Sequence, residues 1–325
     1  MLAMDGAKPG TWSSSSARLL LEFLKDLLPC LLIGFLLGRR DPKRSGWLAA
    51  PLVRYGVPLS VMGLLLKGGL SPRVLSAAIL AAAVIGAVLL LARWIAPLRR
   101  ALPGPCGQLG CCVGNTAYFG VPAALALLPA SALPITIGYD LGATLLAWSV
   151  GPLLIAEESS DGPGLWSRLL KALRGSPAVP GLIGALLVQL TPWVDQVASA
   201  LWWPSRVVIW LALVVVGMRL GSLSLKTNNT GVGFVLLVPS LLGKLVVFPA
   251  VLLLVGLILR LDPVMIQAIT LQGTAPTAIS VLLISEAVGR GQAEAAGLVL
   301  WSTLLALFSS PLWGYGLVLL FQGVE

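Results

Sequence analysis

Two hydrophobic stretches of the sequence carry the residues best suited to bind a solute. Residues 114–122 (GNTAYFGVP) and residues 270–277 (TLQGTAPT) each place a carboxamide, a glycine and a proline inside an apolar run. Proline removes a backbone donor and clashes with the preceding turn, so we expect both helices to open at Pro122 and Pro276. Unpaired backbone is tolerated in hydrocarbon only where it lines a cavity or packs inside protein. The matched pair therefore predicts a central binding site.

Such a site favours an anion, because the N termini of half-helices carry partial positive charge and free N–H groups. Asn115 and Pro122 are about two turns apart and share one helix face. The alternative is that the prolines only kink two membrane helices, and that Asn115 and Gln272 form hydrogen bonds between helices. The predicted substrate-binding residues are Asn115, Pro122, Gln272, Gly273, Thr274 and Pro276.

Two ionisable residues inside apolar stretches, Asp140 and Lys244, are candidates for ion coupling or for control of conformation. A charge within the bilayer is costly, so its presence indicates a function. Lys244 could instead extend its ammonium towards the membrane surface, and Asp140 could lie near a helix start. The four cysteines lack the paired spacing of a zinc site and the chain has no histidine, so we predict no metal and no cofactor.

Composition places these residues in a membrane. Hydrophobic residues make up 57% of the 325 residues, charged residues make up 11%, and the mean hydropathy is +0.94. A soluble domain carries roughly 25% charged residues, because its surface must be wetted. The net charge of +9 does not indicate nucleic-acid binding, because the basic residues lie in short stretches between apolar runs.

Ten stretches approach the length of about 20 apolar residues that crosses a bilayer. We therefore predict an all-α integral membrane protein with ten transmembrane helices. Their expected positions are 19–38, 47–66, 73–95, 106–128, 133–155, 178–192, 202–221, 232–260, 264–286 and 294–320.

The longest internal connection divides these helices into five and five. Because five is odd, a duplicated unit must insert in opposite senses, so the sequence predicts two inverted five-helix repeats in which helices 4 and 9 are broken and cross. The equal spacing of Pro122 to Pro276 and of Asp140 to Glu294 supports a repeat. The predicted units are an N-terminal tail (1–18), a first repeat (19–155), a cytoplasmic connecting loop (156–177), a second repeat (178–320) and a C-terminal tail (321–325).

Loop charges predict the orientation. Loops after odd-numbered helices hold fourteen lysines and arginines, and the opposite side holds six. Cytoplasmic loops of membrane proteins carry this excess. We therefore expect a multi-pass protein of the plasma or inner membrane with both termini on the non-cytoplasmic side.

Several of these segments resemble the auxin efflux carrier family of permeases. Residues 114–122, followed by Tyr139-Asp140 and Gly151-Pro152, resemble the fourth and fifth helices of that family. The likeness extends over nearly the whole chain. The other matching segments are Gly56-Val57-Pro58, Lys244 with Pro249, Ala275-Pro276-Thr277-Ala278, Ser302-Thr303-Leu304 and Ser310-Pro311-Leu312.

The resemblance implies ten helices in two inverted repeats, with Asn115, Pro122 and Pro276 at the crossing. It also implies transport of small organic anions, such as auxin-like or dicarboxylic acids. The short loop 156–177 is typical of a prokaryotic member. The related bile-acid sodium symporters use acidic sodium ligands near their ninth helix, whereas the ninth helix here has no carboxylate before Glu286.

The sequence thus predicts a secondary transporter of a small organic anion that works by alternating access. The alternatives are a sodium-coupled organic anion symporter of the bile-acid type and an intramembrane enzyme. An enzyme needs a nucleophile and a base within reach, and the apolar stretches offer neither histidine nor paired carboxylates, so we predict no enzyme. A channel would need a filter motif or pore charges. The expected partners are the anion and the bilayer, no nucleic acid is expected, and a homodimer remains open.

Overall fold

The computed structural model describes residues 14–41, 44–69, 71–102, 104–156, 178–226 and 234–321, together with positions 167, 170, 174 and 175. In these ranges the chain is helical, apart from connecting turns and one isolated β-bridge. The predicted connecting loop 156–177 and the two predicted tails lie largely outside the described residues. The first helix begins at Ser14, inside the predicted N-terminal tail.

The helices are numbered here in chain order. Short turns at Ala96–Ala101 and Ala130–Ala132 join some of them. Their bounds are α1 Ser14–Arg40, α2 44–68, α3 Pro72–Trp94, α4 Pro105–Gly110, α5 Thr116–Leu127, α6 Leu133–Ala156, α7 Ala178–Gln189, α8 Val194–Lys226, α9 Phe234–Ile258, α10 Pro263–Gly273, α11 Ile279–Val288 and α12 Gln292–Phe321.

Five of the described helices are long and apolar enough to cross a membrane. Their outer faces are apolar as well: the side chains of Val235, Ile258 and Phe308 are each more than 70% exposed. Contiguous apolar surface of this kind is unfavourable in water and favourable against lipid. The spanning segments are Pro72–Trp94, Ala130–Ala156, Val194–Ser222, Phe234–Ile258 and Gln292–Phe321.

Three helices contain a wide π-helical turn just before a proline. Proline cannot donate to the carbonyl four residues earlier and clashes with it, and a wider turn accommodates both effects. In α9 the carbonyl of Leu245, four residues before Pro249, accepts a hydrogen bond of 3.0 Å from the indole N–H of Trp313 instead. The three turns and their prolines are Leu52–Gly56 with Pro58, Thr116–Gly120 with Pro122, and Gly243–Val247 with Pro249.

The helices pack as two bodies. The first body consists of α1, α2, α7 and α8, in which α1 lies along α8, and α2 packs against both α7 and α8. The second body contains α3 to α6 and α9 to α12. Within it, α3 lies along α6, α11 packs on α6, and α9 packs on α10 and α12. The broken helices therefore lie together in the second body, and α2 and α8 of the first body face them.

Glycines let the paired helices approach closely. A Cβ atom added at Gly217 of α8 would meet the Leu31 carbonyl of α1, and one added at Gly138 of α6 would meet the Val74 carbonyl of α3. Small residues at such contacts are typical of membrane helix packing. The order of these contacts shows that α1 runs parallel to α8 and that α3 runs parallel to α6.

The α1–α8 contact gives a test of the first body. Gly217→Ala inserts a methyl group against the backbone of α1 and should lower the free energy of unfolding by about 1–3 kcal/mol. Gly316→Ala is the matched control, because a Cβ at Gly316 meets no described atom within 4 Å. We expect a lower melting temperature in detergent for Gly217→Ala only, and equal melting of the two variants would contradict the packing.

Candidate functional site

Two helix breaks meet in the second body. α4 ends at Gly110 and α5 begins at Thr116, while α10 ends at Gly273 and α11 begins at Ile279. The extended residues between them pair with each other. The N–H of Asn115 donates to the Pro276 carbonyl at 2.7 Å, and the N–H of Ala278 donates to the Val113 carbonyl at 3.1 Å. Each break therefore supplies the hydrogen-bond partners that the other lacks, and hydrocarbon cannot provide such partners.

The first break precedes its proline. The sequence predicted that the fourth helix opens at Pro122, and this prediction is wrong. The helix opens at residues 111–115, and Pro122 is the second residue of the segment Val121–Leu127. The π-helical turn Thr116–Gly120 accommodates the proline, so the helix continues through it. Pro276, by contrast, lies inside the second break, and the two prolines are therefore not equivalent.

Side chains from neighbouring helices bind the remaining polar groups of the second break. The hydroxyl of Thr277 donates to the Gly110 carbonyl at 2.9 Å, and the N–H of Thr277 donates to the Ser302 hydroxyl at 2.9 Å. The hydroxyl of Ser310 donates to the Thr274 carbonyl at 2.9 Å. All of these side chains are buried. The break is thus held by α4 on one side and by α12 on the other.

Lys244 binds the end of a half-helix. Its ammonium donates to the carbonyl of Gly273, the last residue of α10, at 2.7 Å and lies 4.8 Å from the centre of the Phe248 ring. The side chain is fully buried. Lys244 therefore does not extend to the membrane surface. A cation at this place is favourable because the C terminus of a helix carries partial negative charge.

Asp140 lies against the N terminus of a half-helix, whereas Lys244 lies against a C terminus. Asp140 lies within α6 rather than at its start, and its side chain is buried. Its carboxylate accepts a hydrogen bond from the Thr116 hydroxyl, and the Ala117 N–H and the Thr144 hydroxyl lie beside it. Thr116 and Ala117 form the first turn of α5, so the carboxylate lies at the positive end of that half-helix.

A cavity of about 90 Å³ lies where the first body faces the two breaks. Asn115 lines it and is only 8% exposed, and within the described part of the chain its carboxamide makes no hydrogen bond. Asp140 also lines the cavity. The other polar lining residues are Ser60, Thr116, Tyr118, Thr144 and Ser280, and the apolar ones include Leu52, Val57, Trp148, Ala212, Val215, Ile279 and Leu283.

The N terminus of α11 opens into the same cavity. Ala278, which precedes the helix, cannot cap it, and α11 begins without a side-chain cap. The first N–H groups of a helix have no partner within the helix. Ile279 and Ser280, which carry such groups, both line the cavity. An uncapped N terminus and an unpaired carboxamide therefore face one small space.

Of the residues predicted to bind substrate, the structure brings only Asn115 to the cavity wall, where Asp140 joins it. The others do not line the cavity. Gln272 is fully buried beside Gly120, and neither polar atom of its side chain has a partner among the described residues. The residues outside the lining are Pro122, Gln272, Gly273, Thr274, Pro276 and Lys244.

Sequence reasoning missed the contribution of the first body to the cavity. Ser60 of α2 and Tyr118 of α5 line it from the two bodies, and Ala212 and Val215 of α8 complete the wall. The motif Gly56-Val57-Pro58 drew attention to α2, but the sequence did not show that this helix lines the cavity. Nothing in the apolar sequence of α8 distinguishes the residues that line the cavity from those that face lipid.

A comparison with protein families identifies the second half of the chain. Residues 167–314 match the membrane transport protein family, which contains the auxin efflux carriers. This part of the chain is similar to that family. The match includes Lys244, Gln272, Pro276 and all of α11, so it covers the second break and its surroundings. A comparison with curated proteins gives no match.

The family match indicates a membrane transporter rather than an enzyme, and the five long apolar helices support a multi-pass membrane protein. The geometry is compatible with that assignment, because the cavity lies between two packed bodies rather than inside one of them. In the described ranges no group of three or more histidine, cysteine or acidic side chains is close enough to hold a metal ion.

An ion pair joins the two bodies close to the cavity. Arg219 of α8 and Glu286 of α11 are 2.9 Å apart. Arg219 lies one helical turn beyond Val215, and Glu286 lies about one turn beyond Leu283, and both of these apolar residues line the cavity. The pair therefore lies between the cavity and the membrane face that was predicted to be cytoplasmic.

The hydrogen bond from Thr277 to Gly110 tests the contact between the breaks. Thr277→Val keeps the shape of the side chain but leaves the buried carbonyl unpaired, which should cost about 1–3 kcal/mol of stability. Thr191→Val is the control, because the Thr191 hydroxyl donates only to the nearby Val188 carbonyl. We expect the melting temperature to fall more for Thr277→Val, and an equal effect of the two variants would show that the contact is dispensable.

Proposed function

We propose that the protein is a secondary transporter that carries a small organic anion, such as an auxin-like or dicarboxylic acid, across the cell membrane by alternating access. The observation that carries this proposal is the cavity in which the unpaired carboxamide of Asn115 meets the uncapped N terminus of α11. Both groups offer hydrogen-bond donors, and the helix end adds partial positive charge.

The distribution of charge around the breaks supports an anion as the cargo. The carboxylate of Asp140 already accepts a hydrogen bond from Thr116 at the N terminus of α5. The C terminus of α10 is bound by Lys244. The N terminus of α11 has no charged partner among the described residues. In this proposal a carboxylate of the cargo binds there. Asp140 and Lys244 then serve a conformational role, because each holds the end of a half-helix in place.

The predicted residues that do not line the cavity act on the cargo indirectly in this proposal. Pro276 and Thr274 shape the second break, Gly273 provides the carbonyl that Lys244 binds, and Gln272 packs against Gly120. Pro122 supports the π-helical turn that presents Thr116, Ala117 and Tyr118 to the cavity region. Asn115 is therefore the residue on which we expect binding to depend most directly.

Alternating access requires two bodies that move relative to each other, and the packing supplies candidates for both. The cavity is lined on one side by α2 and α8 and on the other by α5, α6 and α11. The parallel pairs α1 with α8 and α3 with α6 are those that ten alternating spans would produce. Within this proposal the chain forms two inverted five-helix repeats, and the excess of lysine and arginine in the loops after odd-numbered helices puts both termini on the non-cytoplasmic side of the plasma or inner membrane.

Asn115→Ala tests the site directly. Removal of the carboxamide should lower uptake of labelled indole-3-acetate or malate into proteoliposomes by about tenfold, because a hydrogen bond to a charged group contributes about 1.5–3 kcal/mol. Gln189→Ala removes a carboxamide at the end of α7, outside the cavity lining, and should transport normally. Saturable uptake that is unchanged by Asn115→Ala would contradict this placement of the cargo.

The ion pair between the bodies gives a second test. Arg219→Glu or Glu286→Arg alone places like charges between α8 and α11, which disfavours closure of this face. We expect each reversal to lower uptake by at least about threefold, and the double reversal to restore most of it because attraction returns. Single reversals that transport like the wild type would show that the pair does not take part in the cycle.

A further inference from the structure

Lys244 lies directly behind the wall of the cavity. Gly114 lines the cavity, and a Cβ atom added at Gly114 would lie 3.1 Å from the Lys244 ammonium nitrogen. Only the backbone of one glycine therefore separates this ammonium from the space in which the cargo is proposed to bind. Lys244 itself does not line the cavity, so it cannot contact the cargo directly.

Among the side chains that the structure describes, no carboxylate forms an ion pair with the ammonium of Lys244, which instead donates to the Gly273 carbonyl. This ammonium also lies over the ring of Phe248, and the thiols of Cys111 and Cys112 are near enough to interact with it electrostatically. These groups solvate a cation only partly, since each offers a dipole or a polarisable face rather than a full negative charge.

An unpaired buried cation is unfavourable, and a membrane interior increases this effect. The nearest space in which a mobile negative charge could offset it is the cavity in front of Gly114. Coulomb attraction is only weakly screened in such an interior and acts through the thin glycine backbone. Asp140 does not fulfil this role, because its carboxylate is bound at the N terminus of α5.

We propose that Lys244 selects the charge of the cargo: its ammonium, placed behind Gly114, makes the cavity bind an organic anion in preference to an uncharged molecule of the same shape. This inference rests on the proposed function, since it concerns the same cavity. It assigns to Lys244 a role in specificity in addition to its hydrogen bond with Gly273.

The two roles can be separated by substitution. Lys244→Gln keeps a side-chain N–H that can donate to the Gly273 carbonyl but removes the charge. Lys244→Arg keeps the charge. If Lys244 only supports the fold, loss of its charge changes the stability of the protein but leaves the ratio of affinities for charged and uncharged cargo unchanged.

The experiment measures binding of indole-3-acetate and of its uncharged isostere indole-3-acetamide to the purified full-length protein in nanodiscs at neutral pH. We expect the wild type and Lys244→Arg to bind the acetate more tightly than the amide. In Lys244→Gln the affinity for the acetate should fall on the order of tenfold, while the affinity for the amide stays near the wild-type value. An unchanged ratio of the two affinities in Lys244→Gln would overturn the inference.

A second variant keeps the lysine and so keeps the test valid if Lys244→Gln does not fold. Cys111→Asp places a carboxylate next to the ammonium and should abolish the preference for the acetate, whereas Cys111→Asn should retain it. A preference that survives in Cys111→Asp overturns the inference while leaving the proposed transport of organic anions intact. A wild-type protein that binds neither the acetate nor the amide, and neither malate nor its diamide, would instead contradict the proposed function and this inference with it.

Discussion

The structure depends on the backbone pairing between residues 113–115 and residues 276–278. A helix that opens inside a membrane leaves N–H and C=O groups that lipid cannot bind, so a single break would be strongly unfavourable. Here each break is the partner of the other, through the bonds Asn115 to Pro276 and Ala278 to Val113. The opening in each half of the chain is therefore stabilised by the opening in the other half.

Side chains in the described part of the chain bind the backbone groups at three of the four half-helix ends and leave the fourth end without such a partner. Lys244 binds the C terminus of α10, Thr277 binds that of α4, and Asp140 binds the N terminus of α5. The N terminus of α11 is left to the cavity. If a side chain also bound the N terminus of α11, the contact would be more stable, but no backbone N–H group would be free to bind a solute. The uncapped N terminus of α11 is therefore the feature of the second body on which the proposed binding depends.

The sequence predicted the class of the protein and the region of the breaks, because hydropathy and intramembrane polar residues are local signals. Asn115 and Pro276 were predicted at the contact and lie there. Pro122 was assigned to an opening that lies seven residues earlier, since the sequence does not reveal that a π-helical turn absorbs the proline. The part played by α2 and α8 could not be predicted, because it arises from tertiary packing of helices whose apolar residues look alike.

The size of the cavity has a consequence for how the protein would load its cargo. A space of about 90 Å³ holds a few water molecules, whereas sites for small molecules typically measure about 300–1,000 Å³. In the proposed cycle an indole acid would fit only after α2 and α8 have moved away from α5 and α11. The bound cargo would then occupy volume that exists only while the two bodies are apart, and its release would allow them to close.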